Sequence, residues 1–220
     1  AVMGTINLSR DSTYRESIAT SIGSALRKGR IMAAQGADCV DVGAETSTVR
    51  ENRVGPLEQN ELLVPVIEGI VDEGIVVLAD AHEPAVVRAC LVAGATIGNL
   101  RGTAHHAEMY ALVAESEARV VMCYAGGANV REISDVTIAD DPIPGLRYHF
   151  EKRLAQASAA GVVNIAIDPG MGFFYGNLVD PMTRVLHRWS VLLNSFLLRV
   201  LGVPICNAKL LPSTPSRISS

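Results

Sequence analysis

The 220-residue chain has few aromatic residues (5%, with a single Trp), and 19 Lys and Arg stand against 23 Asp and Glu for a net charge of −4. The lack of a basic excess argues against nucleic acid as its main partner. No apolar run reaches the ~18 residues of a membrane-spanning helix, so no membrane partner is expected, and no charged-then-apolar leader opens the chain. Cys39, Cys90, Cys123 and Cys206 stand far apart with no C-x-x-C pair, which speaks against a disulfide framework or a zinc site. Their mostly apolar settings read as buried, reduced thiols of a cytoplasmic protein. What the chain does have is 49% hydrophobic residues, ample for a core and incompatible with wholesale disorder.

Short Val- and Ile-rich runs recur at Ala1–Asn7, Ala37–Val42, Ile75–Asp80, Ala95–Asn99, Ala118–Cys123, Val162–Asp168 and Val203–Asn207. Their near-continuous apolarity is what strands covered on both faces require. Between them, helical spacing predicts helices over Ile18 to Ala34, Leu57 to Val71, Pro84 to Leu91, Ala104 to Glu115, Pro144 to Ala160 and Pro181 to Leu201. Pro84, Pro144 and Pro181 suit first helical turns, where a missing N–H is harmless. Gly36, Gly74, Gly94, Gly161 and Gly202 suit the left-handed residue that ends a helix. Strand–helix alternation implies parallel strands with right-handed crossovers. About seven strands exceed a small doubly wound sheet and fall one short of a (β/α)8 barrel, so the expected fold is an α/β TIM-type barrel, incomplete towards the C-terminus. No linker divides the chain, which predicts one barrel domain over 1–209 and an extended or frayed tail over 210–220, where two prolines and no helical stripe occur.

In a parallel barrel, chemistry gathers at the carboxyl ends of the strands. Polar residues stand there in this chain: Asn7 with Ser9 to Ser12, Asp41 with Glu45 to Thr48, Asp80 and His82, Asn99 and Arg101, and Asp168 before Pro169-Gly170. Taken singly, each has a plainer reading. Asp11, Ser12 and Asp80 suit helix caps, Asp41 and Asn99 suit turns, Arg50 and Arg53 suit a solvated loop, and His105 and His106 suit a surface. Five strand ends carrying hydrogen-bonding side chains are harder to attribute to capping alone. Two acids, Asp80 and Asp168, with the amide of Asn99 make an array for a flat, nitrogen-rich heterocycle, because a carboxylate accepts two parallel N–H bonds from an amino-pyrimidine edge. No Lys or Cys nucleophile with a nearby base is evident, so catalysis would rest on positioning and electrostatics.

Met3-Gly4-Thr5-Ile6-Asn7-Leu8-Ser9-Arg10-Asp11-Ser12 resembles the opening motif of the dihydropteroate synthases, and Ala37-Asp38-Cys39-Val40-Asp41-Val42-Gly43-Ala44-Glu45-Thr46-Ser47 resembles their second signature. Asp80, Gly94-Ala95 to Asn99, Val121-Met122 and Asp168-Pro169-Gly170-Met171-Gly172-Phe173 fall where the remaining pterin-site motifs should. The resemblance, which runs from Val2 to about Gly176, implies a (β/α)8 barrel of the pterin-binding superfamily that joins dihydropterin pyrophosphate to p-aminobenzoate in folate biosynthesis. It implies Asn7 as a holder of Mg2+ and pyrophosphate, and Asp80, Asn99 and Asp168 as the pterin-edge residues. It further implies Met122 as packing against the ring, and mobile loops carrying Asp11 and Ser12, and Thr46 and Ser47, that close over the second substrate. The family also implies a homodimer.

The chain departs from the family pattern in several places. Arg10 stands where the family has Pro, Thr48-Val49-Arg50 replace Arg-Pro-Gly, and Phe174-Tyr175 replace Gly-Lys. The late Ser-Arg-Lys and Arg-x-His motifs have no clear counterpart, Lys209 being the one candidate for the lysine. Whether the chain catalyses is therefore left open. A synthase-like transferase, a pterin-binding protein that has lost synthase activity, and a folate-dependent methyltransferase of the same superfamily are the three readings, in that order.

Overall fold

A computed structural model describes residues 1–9, 15–45, 54–101, 104–125, 141–171 and 180–206. Six of the seven predicted strands form one parallel sheet in chain order: β1 (Met3–Asn7), β2 (Cys39–Gly43), β3 (Val77–Asp80), β4 (Ile97–Arg101), β5 (Arg119–Cys123) and β6 (Ile165–Asp168). The helices are α1 (Ile22–Ala34), α2 (Pro56–Val71), α3 (Pro84–Val92), α4 (His106–Glu115), α5 (Ile143–Ala159) and α6 (Pro181–Asn194). Strand and helix alternate throughout, the arrangement of a (β/α) barrel. The predicted seventh strand contributes a single parallel bridge between Ile205 and Ile167. The Ile167 N–H donates to the Pro204 carbonyl at 2.9 Å and the Cys206 N–H to the Ile167 carbonyl at 2.7 Å. The tail over 210–220 lies outside the described residues.

Two predicted helices are shorter than their periodicity suggests. The first begins at Ile22, because Ser21 and Ser24 form a reciprocal capping box there. Upstream, Ile18 bridges to Asn7 and the Ala19 N–H donates to the Asn7 carbonyl at 2.9 Å. The last predicted helix stays α-helical to Asn194 and tightens into a 3-10 turn over Ser195–Leu201. Pro84 and Pro181 open α3 and α6, and Pro144 lies in the first turn of α5. All five glycines expected to end helices have positive φ. At Gly94 (φ 104°) a Cβ would also meet Val71 Cγ1 at 3.0 Å.

Strand pairing assigns the faces. Register partners in a parallel sheet point the same way, and successive residues alternate. Gly4, Ile6, Val40, Val42, Val77, Ala79, Gly98, Leu100, Val120, Met122 and Ile167 make one face. A Cβ on Gly4 would strike Met32 of α1, so this face meets the helices. Nine of these residues join helix residues such as Leu63, Val87, Val113 and Phe150 in the hydrophobic core. The opposite, interior face carries Asn7, Asp41, Leu78, Asp80, Asn99, Arg101, Cys123 and Asp168. Polar residues therefore line the inside of the barrel while the apolar core lies between sheet and helices.

Candidate functional site at the barrel mouth

Two rows of interior side chains cross the carboxyl ends of the strands. Asn7, Gly43, Asp80 and Asn99 are successive register partners on β1 to β4. Two residues further along, Arg101, Cys123 and Asp168 are successive partners on β4 to β6. With strands about 4.8 Å apart, side chains distant in sequence become neighbours. Gly43 opens the first row, and a Cβ there would lie 3.2 Å from Asp80 Oδ2.

Asp80 is the centre of a charge cluster. Arg101 Nε lies 2.6 Å from Asp80 Oδ1, both side chains nearly buried. On the adjoining loops, His82 Nδ1 lies 3.3 Å from Glu45 Oε2. Burial pushes the Asp80 carboxyl up, opposed by the Arg101 and His82 charges, while Glu45 pushes the same way as burial. Beside Asp80, the buried Asn99 Oδ1 has no hydrogen-bond partner among the described residues. A buried acceptor left unpaired costs about 1–3 kcal/mol, so this oxygen is suited to an incoming N–H.

Asp168 is 7% exposed. Its Oδ1 accepts the Gly170 N–H at 2.8 Å, and its register partner on β5 is Cys123, whose thiol donates to the Tyr124 carbonyl at 3.9 Å. Burial nonetheless raises its pKa above the ordinary 3.8. The Cys123 thiol is itself held well above 9 by burial, by Asp168 and by Asp80, with Arg101 opposing. Arg101 contacts Asp80 at 2.6 Å and is the register partner of Cys123, itself the partner of Asp168, so the two carboxylates stand at the same end of the barrel interior.

Of the residues implied by the resemblance, the structure brings Asp80, Asn99 and Asp168 to the same end of the barrel interior. Asn7 stands in the first row, with Oδ1 accepting the Ser9 N–H at 2.8 Å. Met122 is a correction: it pairs with Leu100 and Ile167 on the helix-facing side and is fully buried there. Alternation along β5 sends Cys123 into the mouth and Met122 away from it. Asp11, Ser12, Thr46, Ser47 and Lys209 lie outside the described residues. The role of Arg101 as partner of Asp80 was not foreseen, although the polar alternation Asn99-x-Arg101 carried the signal. The Glu45–His82 contact joins two loops and has no local sequence signature.

Chemically, the arrangement presents two carboxylates and an amide oxygen to N–H donors, with a guanidinium holding one of the acids. A protein-family model described as pterin binding enzyme matches residues 3–195. The type-3 dihydropteroate synthase of Escherichia coli is 28% identical over 207 residues, covering 91% of this chain and 77% of its own length. The dihydropteroate synthase of Streptococcus pyogenes serotype M3 is 32% identical over 193 residues, 86% of this chain and 68% of the relative. Among solved structures, the Xanthomonas albilineans dihydropteroate synthase in complex with 7,8-dihydropteroate is 26% identical, with a TM-score of 0.71, covering 94% of this chain and 69% of the other. The same enzyme with 4-aminobenzoic acid is 27% identical, with a TM-score of 0.76 and coverage of 94% and 71%.

Proposed function

Because the chain belongs to the family of pterin-binding enzymes, we propose that it acts as a dihydropteroate synthase-like transferase of folate biosynthesis, binding a reduced pterin at the barrel mouth. The observation that carries this reading is the Asn99 Oδ1, without a hydrogen-bond partner among the described residues and beside its register partner Asp80, at the same strand ends as Asp168. Asp80 and Asp168 would accept the ring and amino N–H groups of the pterin, and Asn99 would fix its orientation. In the reaction, the bond between the pterin methylene and pyrophosphate oxygen breaks and pyrophosphate leaves with the electron pair. The aniline nitrogen of p-aminobenzoate bonds to the methylene and loses its proton. The protein's share is to orient the two substrates and to set charges around the departing group.

The residues present fit a magnesium ion at Asn7. Its Oδ1 is a hard oxygen donor with one lone pair used by Ser9 and another to offer, and Mg2+ takes much of its shell from phosphate and water. Bound there, the ion would neutralise charge on the departing pyrophosphate.

A second reading, a pterin binder without synthase activity, is favoured by one observation. Among the described residues, the guanidinium that reaches the mouth, Arg101, is engaged by Asp80 and so is poorly placed to grip pyrophosphate. Titration calorimetry with a reduced pterin is expected to show binding that weakens more than tenfold in Asp168→Asn and Asp80→Ala. Equal binding by all three proteins would overturn both readings. Pyrophosphate release with p-aminobenzoate then separates them: turnover supports the transferase, and its absence with intact pterin binding supports the binder.

No helix among the described residues is long and apolar enough to cross a membrane, and four free cysteines suit a cytoplasmic setting. Met182, Val185, Leu186, Trp189 and Leu193 leave an exposed apolar stripe along α6, which suits a homodimer contact.

A further inference from the structure

We propose that His82 is a positioning residue of the barrel mouth: by holding Glu45 it ties the end of β2 to the end of β3 and keeps the Asp80 carboxylate in place for the pterin. The proposal rests on the pterin-binding reading above. The register of β2 with β3 ends at Gly43 and Asp80, and Glu45 and His82 each stand two residues beyond that pair. Alternation carried two residues further brings both to the interior side, and their side chains are only 6% and 16% exposed. The row that runs Arg101, Cys123, Asp168 thereby extends over two more strand ends, and His82 and Arg101 line the same small cavity.

Where the backbone ladder stops, a side-chain contact takes over. His82 Nδ1 lies 3.3 Å from Glu45 Oε2, and Nε2 on the other edge of the ring lies 3.8 Å from Glu83 Oε1. The imidazole is thus set between an inner acid and an outer one. Gly43, two residues before Glu45, lies against Asp80, and a Cβ there would stand 3.2 Å from Oδ2. Asp80 is held on its other side by Arg101 at 2.6 Å. A buried carboxylate that loses a polar partner is drawn towards water. Without His82, Glu45 moves outwards with the end of β2, and the Gly43 wall of Asp80 opens.

Electrostatics alone predicts a different pattern. The His82 charge favours the ionised Asp80 and the Glu45 charge opposes it. By charge alone, His82→Ala would weaken pterin binding and Glu45→Ala would strengthen it. Positioning predicts that both weaken it, because each removes the same contact.

The test is titration calorimetry with a reduced pterin on the wild type, His82→Ala, Glu45→Ala and the double variant, at one pH and below every Tm. Each single variant is expected to bind roughly tenfold more weakly. The double variant should bind no more than about twofold more weakly than either, since residues that act through one contact are not additive. His82→Asn, which sets an amide nitrogen near the place of Nδ1, should recover most of the loss. Tighter binding by Glu45→Ala, losses that multiply in the double variant, wild-type affinity in His82→Ala, or no recovery in His82→Asn would each overturn the proposal. If His82→Ala does not fold, Glu45→Ala decides by direction: weaker binding supports the contact, and equal or tighter binding overturns it. A wild type that binds no pterin would sink the pterin-binding reading itself, and this proposal with it.

Discussion

Arg101 spans the two rows of the barrel mouth: it leaves β4 level with Cys123 and Asp168, yet closes to 2.6 Å on Asp80, one strand away and one row below. The guanidinium opposes the rise that burial imposes on the Asp80 carboxyl. Removing it in Arg101→Met should push that pKa higher and leave less carboxylate at neutral pH. Pterin affinity at pH 7 is expected to fall roughly tenfold, the equivalent of one pKa unit, and to recover as pH rises. Calorimetry across a pH series checks this, and an affinity that matches the wild type at every pH would refute it.

Asp168 has the opposite bearing on stability. Its folded pKa is raised by burial, so the ionised carboxylate weakens the fold above that pKa and costs nothing below the unfolded value. Asp168→Asn keeps an oxygen for the Gly170 N–H and removes the buried charge. Its Tm should exceed that of the wild type at pH 7, with the gap closing as pH falls through the raised pKa towards 3.8. The same variant is expected to bind pterin more than tenfold less tightly, a trade of stability for function. A lower Tm at pH 7 would contradict the account.

His149 gives a pH dependence of the other sign. Burial, then Arg153, brings its pKa down to about 4, its buried Nε2 has no partner among the described residues, and its ring stands edge-on to Tyr124 and Phe150. A histidine kept neutral in the fold contributes stability that is lost as pH falls from about 6.5 to about 4. His149→Leu should flatten that part of the stability profile, by on the order of 2 kcal/mol once solvent screening is allowed for. Denaturant titrations at pH 7 and pH 5 measure it, and parallel profiles for variant and wild type would rule the assignment out.

Gly43 is placed to tune the first row. The Cβ of Gly43→Ala would lie 3.2 Å from Asp80 Oδ2 and 3.3 Å from Asp80 Cβ, and Asp80 is held from its other side by Arg101. The carboxylate must shift by a few tenths of an ångström. Pterin affinity is expected to drop roughly three- to tenfold, with Tm changing little. Unaltered affinity would show that the carboxylate's position is not what binds.

The strand–helix order, the proline starts and the glycine stops were legible because each rests on local chemistry: apolar runs, a missing N–H, a left-handed φ. The mouth acids were legible for a related reason, since apolarity breaks off at the end of a strand and Asp80, Asn99 and Asp168 stand at those breaks. Met122 was misread because an apolar residue looks the same from either face of a strand. Only the register with Leu100 and Ile167 assigns it to the helix side. Arg101 shows the complementary limit: its type and position were visible, but its partner lies 21 residues back on another strand, and only parallel pairing brings them together. The early start expected for α1 failed because the apolar period continues through Ile18, whereas the Ser21 cap sets where the helix begins.

Cys123 has a consequence for anyone designing inhibitors against this protein. A thiol attacks electrophiles as its thiolate, and burial among carboxylates keeps this one protonated far past neutrality. Acrylamides, maleimides and similar warheads aimed into the barrel would find sulfur with no appetite for them. A compound seated there has to hold on by reversible contacts with the acids and the amide around it.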